Sequence, residues 1–431
     1  MASTRITSQM ILRKALPILH AKLNIIGNCD RQYDSRFAET GASVAYGKIG
    51  PQLQIRLPVE PTWRDGTTAI IQDTMEQTVV LPCSTVGGAD MNFPDVDLTL
   101  AIEDFTERYI EPSMSVAAST LESRFAKAMY QQTYQFAGTA SVTPTTQDPF
   151  MAAKVFLNRS LCPQDRQRVS IIDSPTSRAM VNGLQNLMNP PDVIGKQFKQ
   201  GRITEGSGFQ WYENDLLPVH TSGNNLGFAT AVVDGASQQS AGNVTGTLAT
   251  RGWTASTATV TPGTVFTITG IYSVHPETKA LFPDQLQQFV VIPNPAVNPG
   301  TGLIDGNYTS DTNGKILFYI NPGITGPAFP IAGMQNVSAL AADNIGINIL
   351  TGAASTSYVQ NLVFHKNAYA FVTADLELPK GMDMAYRATM DGISMRFLRG
   401  YDLINMRYVS RIDILYGWAA IRPKLSCRVT R

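Results

Sequence analysis

The chain has 431 residues, its 34 lysines and arginines balance 34 aspartates and glutamates, and only 16% of its residues are charged. At about 100 to 200 residues per domain this length predicts two or three domains. Zero net charge leaves nothing to steer the whole molecule to nucleic acid or membrane, and it weakens the repulsion between copies brought together.

In chain order, Ile6, Met10, Ile11, Leu16, Leu19, Leu23 and Ile26 fall at near-helical spacing over residues 4–27, with Pro17 bending or dividing the segment. This predicts an amphipathic N-terminal arm. Two strand-like runs, Leu53 to Leu57 in QLQIRLPVEPTWRDG and Met75 to Val80 in TMEQTVVLP, flank a turn-rich middle containing Pro58, Pro61 and Gly66. A two-stranded hairpin has too little core to stand alone in water, so it is expected to lie on something else. Pro112 to Tyr134 is the clearest helix, with Pro112 suited to the first turn, Val116, Leu121, Phe125, Ala128 and Met129 near i, i+4, i+7, and no internal Gly or Pro after it.

Residues 148–188 predict a helix (FMAAKVFLNRSL), a strand (RVSII) and a second helix with Ser174 as cap and Pro175 at its first position. From Ser222 to Leu350 charged residues thin out, and runs such as TATVTPGTVFTITGIYSV and GKILFYINPGI alternate β-branched or aromatic residues with small ones. That texture predicts an inserted small β-barrel or sandwich. In the closing stretch Met395, Phe397, Tyr408, Ile412, Ile414 and Tyr416 alternate with Arg396, Arg411 and Asp413, the pattern of a half-buried antiparallel sheet. The main fold is therefore expected to be interrupted and then resumed.

Signatures of catalysis are missing. The chain has no G-x-S-x-G elbow, no HExxH and no phosphate loop; GKQF at Gly195 lacks the upstream glycine, and GNYTSDTNGK (306–315) reads as a hairpin turn. His20, His220, His275 and His365 lie far apart, each without a carboxylate or cysteine at ligand spacing. His275-Pro276-Glu277 resembles the start of a deaminase signature, but no P-C-x-x-C follows. Cys29, Cys83, Cys162 and Cys427 form no CxxC pair and are read as buried free thiols of a reducing cytosol. The N-terminus has no secretory core or membrane span, so cytoplasmic synthesis is the expectation. No catalytic, cofactor-binding or metal-binding residue is assigned. The cationic C-terminal set, Arg396, Arg399, Arg407, Arg411, Arg422, Lys424, Arg428 and Arg431, suits packaged nucleic acid, but solvated strand faces and salt bridges to neighbouring subunits suit it better.

The order of arm, polar hairpin, long helix, α/β module, inserted β domain and returning strands resembles the major coat protein family of short-tailed phages typified by the P-twenty-two-like Salmonella phage. QLQIRLPVEPTWRDG, the Asp104 to Tyr134 stretch, FQWYENDLLPVHT and SRIDILYGWAAIRP carry that resemblance. It implies an α+β chain of the Hong Kong 97-type capsid fold with an inserted β-barrel-like domain. The implied divisions are an N-terminal arm (1–34), an extended loop (35–85), a peripheral domain with a spine helix (86–147), and an axial domain in two parts (148–221 and 351–394). Between those parts lies the insertion (222–350), and strands at 395–431 return.

What this implies functionally is a non-enzymatic major capsid protein that self-assembles, as pentamers and hexamers, into an icosahedral procapsid and head shell in the host cytoplasm and ends in the virion. Its implied partners are further copies of itself, a scaffolding protein, a portal protein, possible decoration proteins and, by weak non-specific contact, packaged double-stranded DNA. No membrane and no cofactor are implied. Charges and an aromatic on an exposed tongue suit an interface, so Arg56, Glu60, Trp63, Arg64 and Asp65 are the expected inter-subunit contacts. The arm of that family is acidic, whereas here it carries Arg5, Arg13, Lys14 and Lys22, which predicts an acidic scaffold segment as their partner. The other readings are a β-rich tail or adhesin-like carbohydrate-binding protein, suggested by the Thr/Asn/Gly-rich middle, and a polymer-degrading enzyme.

Overall fold

A computed structural model describes residues 8–33, 52–63, 67, 75–93, 109–184, 205–225, 227–294, 306–381, 384–390, 392–402 and 407–431. The described residues fall into two compact units, one drawn from 1–54, 80–125 and 369–419, the other from 55–79, 126–368 and 420–431. Mixed α+β structure runs through both.

In the first unit the arm forms helix α1 (Ser8–Lys22). Its 3–4 spacing puts Ile11, Leu12, Ala15, Leu16 and Leu19 inside, while Arg13, Lys14 and Pro17 face solvent. The helix lies on strands Met384–Met390 and Ile393–Asp402 of a mixed sheet. In that sheet strand Asp30–Tyr33 runs parallel to Tyr369–Ala374, and the long strand Arg407–Ala420 pairs antiparallel with both Ile393–Asp402 and Thr85–Phe93.

The expected alternation holds for Met395, Phe397, Ile412, Ile414 and Tyr416, all buried. It fails at Asp413, which is only 1% exposed. The guanidinium groups of Arg396 and Arg411, each 2.7 Å away, surround its carboxylate. A buried charge needs such pairing, so alternation in polarity here is not alternation in exposure.

Helix α2 (Glu111–Tyr130) begins where Pro112 predicts, but stops four residues before Tyr134. Its last turn tightens, with Gln132 and Thr133 N–H groups returning to the Met129 carbonyl. Beyond it the backbone is claimed by a sheet: Phe136–Ala137 pairs in parallel with Arg428–Val429, and the Arg428 N–H reaches the Gln135 carbonyl at 2.9 Å. Phe125, on the inward face of α2, meets Tyr369, Phe371 and Trp418 edge-on at 6.1 to 6.3 Å. One turn earlier, the buried Glu122 carboxylate accepts the Ile25 N–H at 2.6 Å and fixes the exit from the arm.

The second unit contains a seven-stranded sheet and a barrel. In the sheet, strand Ser426–Thr430 sits between Phe136–Ala137 and Ser357–His365, followed by Arg168–Ile172 and Phe209–Glu213. Helix α3 (Asp148–Arg159) packs on it, with Phe150 against Trp211 at 4.8 Å. Helix α4 (Ser174–Leu184) starts as expected, but Asp173 rather than Ser174 caps it. The Asp173 carboxylate accepts the Thr176 N–H, while the Ser174 hydroxyl donates to Asp215.

The stretch expected to be an insertion contains a six-stranded antiparallel sheet in the order Val232–Val233, Gly246–Arg251, Ile316–Asn321, Leu281–Val291, Val265–Val274 and Ile347–Ile349. A bridge between Val232 and Gly346 joins its two edges, so the sheet closes into a barrel and leaves no free edge there. Leu248, Trp253, Phe266, Phe289, Phe318 and Val337 are among the residues filling it. The 306–315 stretch is a tight turn, as expected, with Asp311 accepting the N–H groups of Asn313 and Lys315. The short strand before the turn pairs with Thr259–Val260, however, and the strand after it belongs to the barrel.

The barrel is joined to the sheet by specific polar contacts. The Gln288 amide makes a strand-like pair of bonds with the Phe136 N–H and carbonyl (2.7 and 3.0 Å). Arg159 reaches Asp284 at 2.6 Å and lies over the Phe282 ring. Nearby, His220 is fully buried between Tyr130 and Tyr358, and neither ring nitrogen has a hydrogen-bond partner among the described residues. Burial, and then the Arg428 charge, pull the His220 pKa down to about 3.

Two outcomes follow. Phe125→Ala should lower the unfolding free energy by about 3 to 5 kcal/mol in denaturant titrations; an unchanged midpoint would contradict the nested ring. A depressed folded-state pKa means the unfolded chain binds the extra proton. The His220 contribution is therefore intact above the ordinary histidine value and lost as pH falls towards 3, amounting to about 2 to 3 kcal/mol by pH 4.5. Subtracting the pH profile of His220→Phe from that of the native chain should isolate this loss, and parallel profiles would refute it.

Candidate assembly interface

Strands Gln52–Arg56 and Thr78–Pro82 form a two-stranded ribbon. Its side chains alternate between exposed and half-buried up to Leu81, so the ribbon has no interior of its own. It continues by one more bond, from the Leu57 N–H to the Gln77 carbonyl at 2.8 Å. Beyond that point the connecting chain finds its support on the second unit.

Three kinds of contact make this support. The first is backbone approach: Gly333 lies so close that an added Cβ would collide with the Glu60 carbonyl oxygen. The second is side-chain hydrogen bonding and packing. The Gln77 amide donates to the Gly242 carbonyl at 2.7 Å, and Met75 rests against Gly242, whose φ of +81° also suits glycine. The third is charge, because the Glu60 carboxylate pairs with Lys424 and, at 3.7 Å, with Lys279.

Lys279 is itself held, donating to the Gly333 carbonyl at 2.6 Å. Burial pulls its ammonium pKa below the ordinary lysine value, against the opposing pull of Glu60. Beside these contacts is a cavity of about 270 Å³, lined by Leu57, Val59, Met75, Val274 and Met334 among others. Gln135 also lines it, and its buried side-chain oxygen Oε1 has no hydrogen-bond partner among the described residues.

Of the five residues expected to contact a neighbour, Trp63 is 89% exposed. Arg56 pairs with Glu76 at 2.9 Å on the ribbon surface, an exposed pair worth at most about 1 kcal/mol. Glu60 is engaged within its own chain, and Arg64 and Asp65 lie outside the described residues. Of the four arm cations, Arg13 and Lys14 are exposed, Lys22 lies 3.9 Å from Glu111, and Arg5 is outside the described residues.

Several of the C-terminal cations also act within the chain. Arg396 and Arg411 hold Asp413, Lys424 holds Glu60, Arg431 meets Asp173 at 2.5 Å, and Arg428 is buried, donating to the Gly263 carbonyl.

Sequence spacing could not reveal the pairing of His365 with Asp165, whose groups lie 3.1 Å apart although 200 positions separate them. The Nδ1 of His365 accepts the Asn367 N–H, so this pair braces a turn. His275 Nδ1 likewise accepts the Glu277 and Thr278 N–H groups. All four cysteines are buried and free, and burial raises every thiol pKa, Cys83 to about 12 and Cys162 to about 11. Among the described residues no cluster of His, Cys, Asp and Glu is placed to hold a metal, and no helix is long and apolar enough to cross a membrane.

Residues 85–427 match the protein family described as P22 coat protein, gene protein 5. The chain is also similar to a solved structure from Mycobacterium phage Che8, at 12% identity and a TM-score of 0.43, with 88% of this chain and 85% of that one covered. A capsid structure of the Cyanophage P-SCSP1u gives 12%, 0.41, 93% and 88% for the same quantities, and the mature capsid of bacteriophage PhiM1 gives 10%, 0.42, 94% and 86%. No curated protein sequence matches the chain. With most of its length matched, the chain belongs to the P22 coat protein family, and it is a major capsid protein whose copies join to form the head shell of a phage virion.

Proposed function

We propose that this coat protein builds an icosahedral procapsid from pentamers and hexamers, using the Hong Kong 97-type division into arm (1–34), extended loop (35–85), peripheral domain (86–147), split axial domain (148–221 and 351–394), insertion (222–350) and returning strands (395–431). The observation that carries this reading is the extended loop: a ribbon with no interior, supported from beneath, with Trp63 turned out to solvent. An exposed tryptophan on a supported ribbon is costly to leave wet and well suited to the buried centre of an interface. Trp63 is the anchor of the contact with the next subunit, Arg64 and Asp65 flank it, and Arg56 and Glu60 shape the ribbon that carries it.

The outward cations of the arm, Arg13 and Lys14, support docking of an acidic segment of a scaffolding protein, with Arg5 and Lys22 extending the same charge. Packaging through a portal, binding of a decoration protein, assembly in the host cytoplasm and weak non-specific contact with double-stranded DNA complete the proposed role. The intrachain pairing of Arg396, Arg411, Lys424 and Arg431 favours only a weak contact with DNA. The work of the chain is assembly rather than catalysis. Membership of a coat protein family stands against the adhesin and polymer-degrading readings.

Removing residues 58–70 should abolish closed shells in electron micrographs, and Trp63→Ala should weaken subunit association by about 2 kcal/mol, read as a higher threshold concentration for assembly. Normal shells from either variant would overturn the loop contact. Replacing both Arg13 and Lys14 with Glu should reduce capture of the scaffolding protein from the same phage, and raised salt should weaken capture by the native chain. Binding indifferent to both changes would remove the arm from that role.

A further inference from the structure

We propose that Glu60 is a positioning residue for shell assembly, acting by holding Trp63 in the attitude that a neighbouring subunit accepts. This rests on the reading of the extended loop as an inter-subunit contact.

Only Pro61 and Thr62 separate Glu60 from Trp63, and Pro61 fixes one of the backbone torsions between them. A firm hold on Glu60 therefore restrains the backbone that carries the tryptophan. Its carboxylate is gripped by two cations from separate parts of the fold: Lys279, in the turn between barrel strands Val265–Val274 and Leu281–Val291, and Lys424, in the turn that precedes strand Ser426–Thr430. The Lys279 amine is held by further partners, and Lys424 is anchored through its backbone. The Lys279 ammonium also donates to the Gly333 and Gln335 carbonyls, at 2.6 and 3.4 Å, and the Lys424 backbone carbonyl accepts from Gln135 at 3.3 Å.

Close passage of the Glu60 carbonyl over Gly333 adds a steric stop beneath the same residue. Such a half-buried carboxylate between two ammonium groups suits orientation better than bulk stability, because a ribbon without an interior gains accuracy chiefly from its attachments. Preorganising an interface side chain lowers the entropy lost on association, so the benefit appears in assembly and not in the fold of the isolated subunit.

Three variants test this with the full chain: Glu60→Gln, Trp63→Ala and the double variant, each assayed for the lowest concentration at which closed shells form. The expected result is a several-fold rise for Glu60→Gln in an otherwise native chain and no further rise when it is added to Trp63→Ala. An unchanged threshold for Glu60→Gln, or a rise that simply adds to that of Trp63→Ala, would overturn the positioning role. A Trp63→Ala chain that assembles normally would instead overturn the underlying loop contact, so the two failures are distinct. Thermal unfolding of the unassembled variants accompanies the assay: a fall in the Glu60→Gln midpoint matching its assembly defect would assign Glu60 to stability and also overturn the proposal.

Discussion

The second unit depends on the pairing of its last strand. Strand Ser426–Thr430 is buried along its whole length, between the two-residue strand that follows helix α2 and the long strand Ser357–His365. Its neighbours in sequence carry much of the unit's polar architecture. Lys424 holds Glu60, Arg428 lies over the Tyr130 ring beside the buried His220, and Arg431 reaches the carboxylate that caps helix α4. Deprived of that strand and the turn before it, the sheet would lose the link between Phe136–Ala137 and Ser357–His365, and the ribbon would lose one of the two cations that hold it.

Such an arrangement makes completion of the sheet wait on distant segments. The partners of this strand begin at Phe136 and at Ser357, so the sheet needs contacts across nearly 300 positions. Contacts of such long sequence separation carry a high loop-closure cost and form slowly. The barrel is different, because its strands all lie between residues 232 and 349 and its edges close on each other. A locally closed β-barrel can therefore form while the surrounding sheet still lacks its last strand.

Periodic features were legible in the sequence. The 3–4 spacing in the arm and in α2 gave helices whose expected inward residues are buried, except Val116, which faces solvent, and alternating β-branched residues gave the barrel strands. Pairings without a period were not legible. Glu60 finds partners 219 and 364 positions downstream, His365 finds Asp165, and Asp173 caps the helix that Ser174 was expected to cap. The early end of α2 belongs to the same class, because the strand that competes for its last residues lies at the other end of the chain. Of the proposed interface, the exposed position of Trp63 agrees with the sequence expectation; the grip on Glu60 was not legible, since its lysines sit in turns with nothing local to mark them.

The four buried thiols have a consequence for a particle that leaves its host. Disulfide exchange and oxidation proceed through the thiolate, and a thiol whose pKa is pushed to about 12, as at Cys83, is ionised in only about one molecule in 100,000 at neutral pH. With Cys29, Cys162 and Cys427 also buried and shifted the same way, an oxidising surrounding finds almost no thiolate on the shell subunit to react with. Among the described residues its durability is left to packing and charge, with no disulfide to aid it.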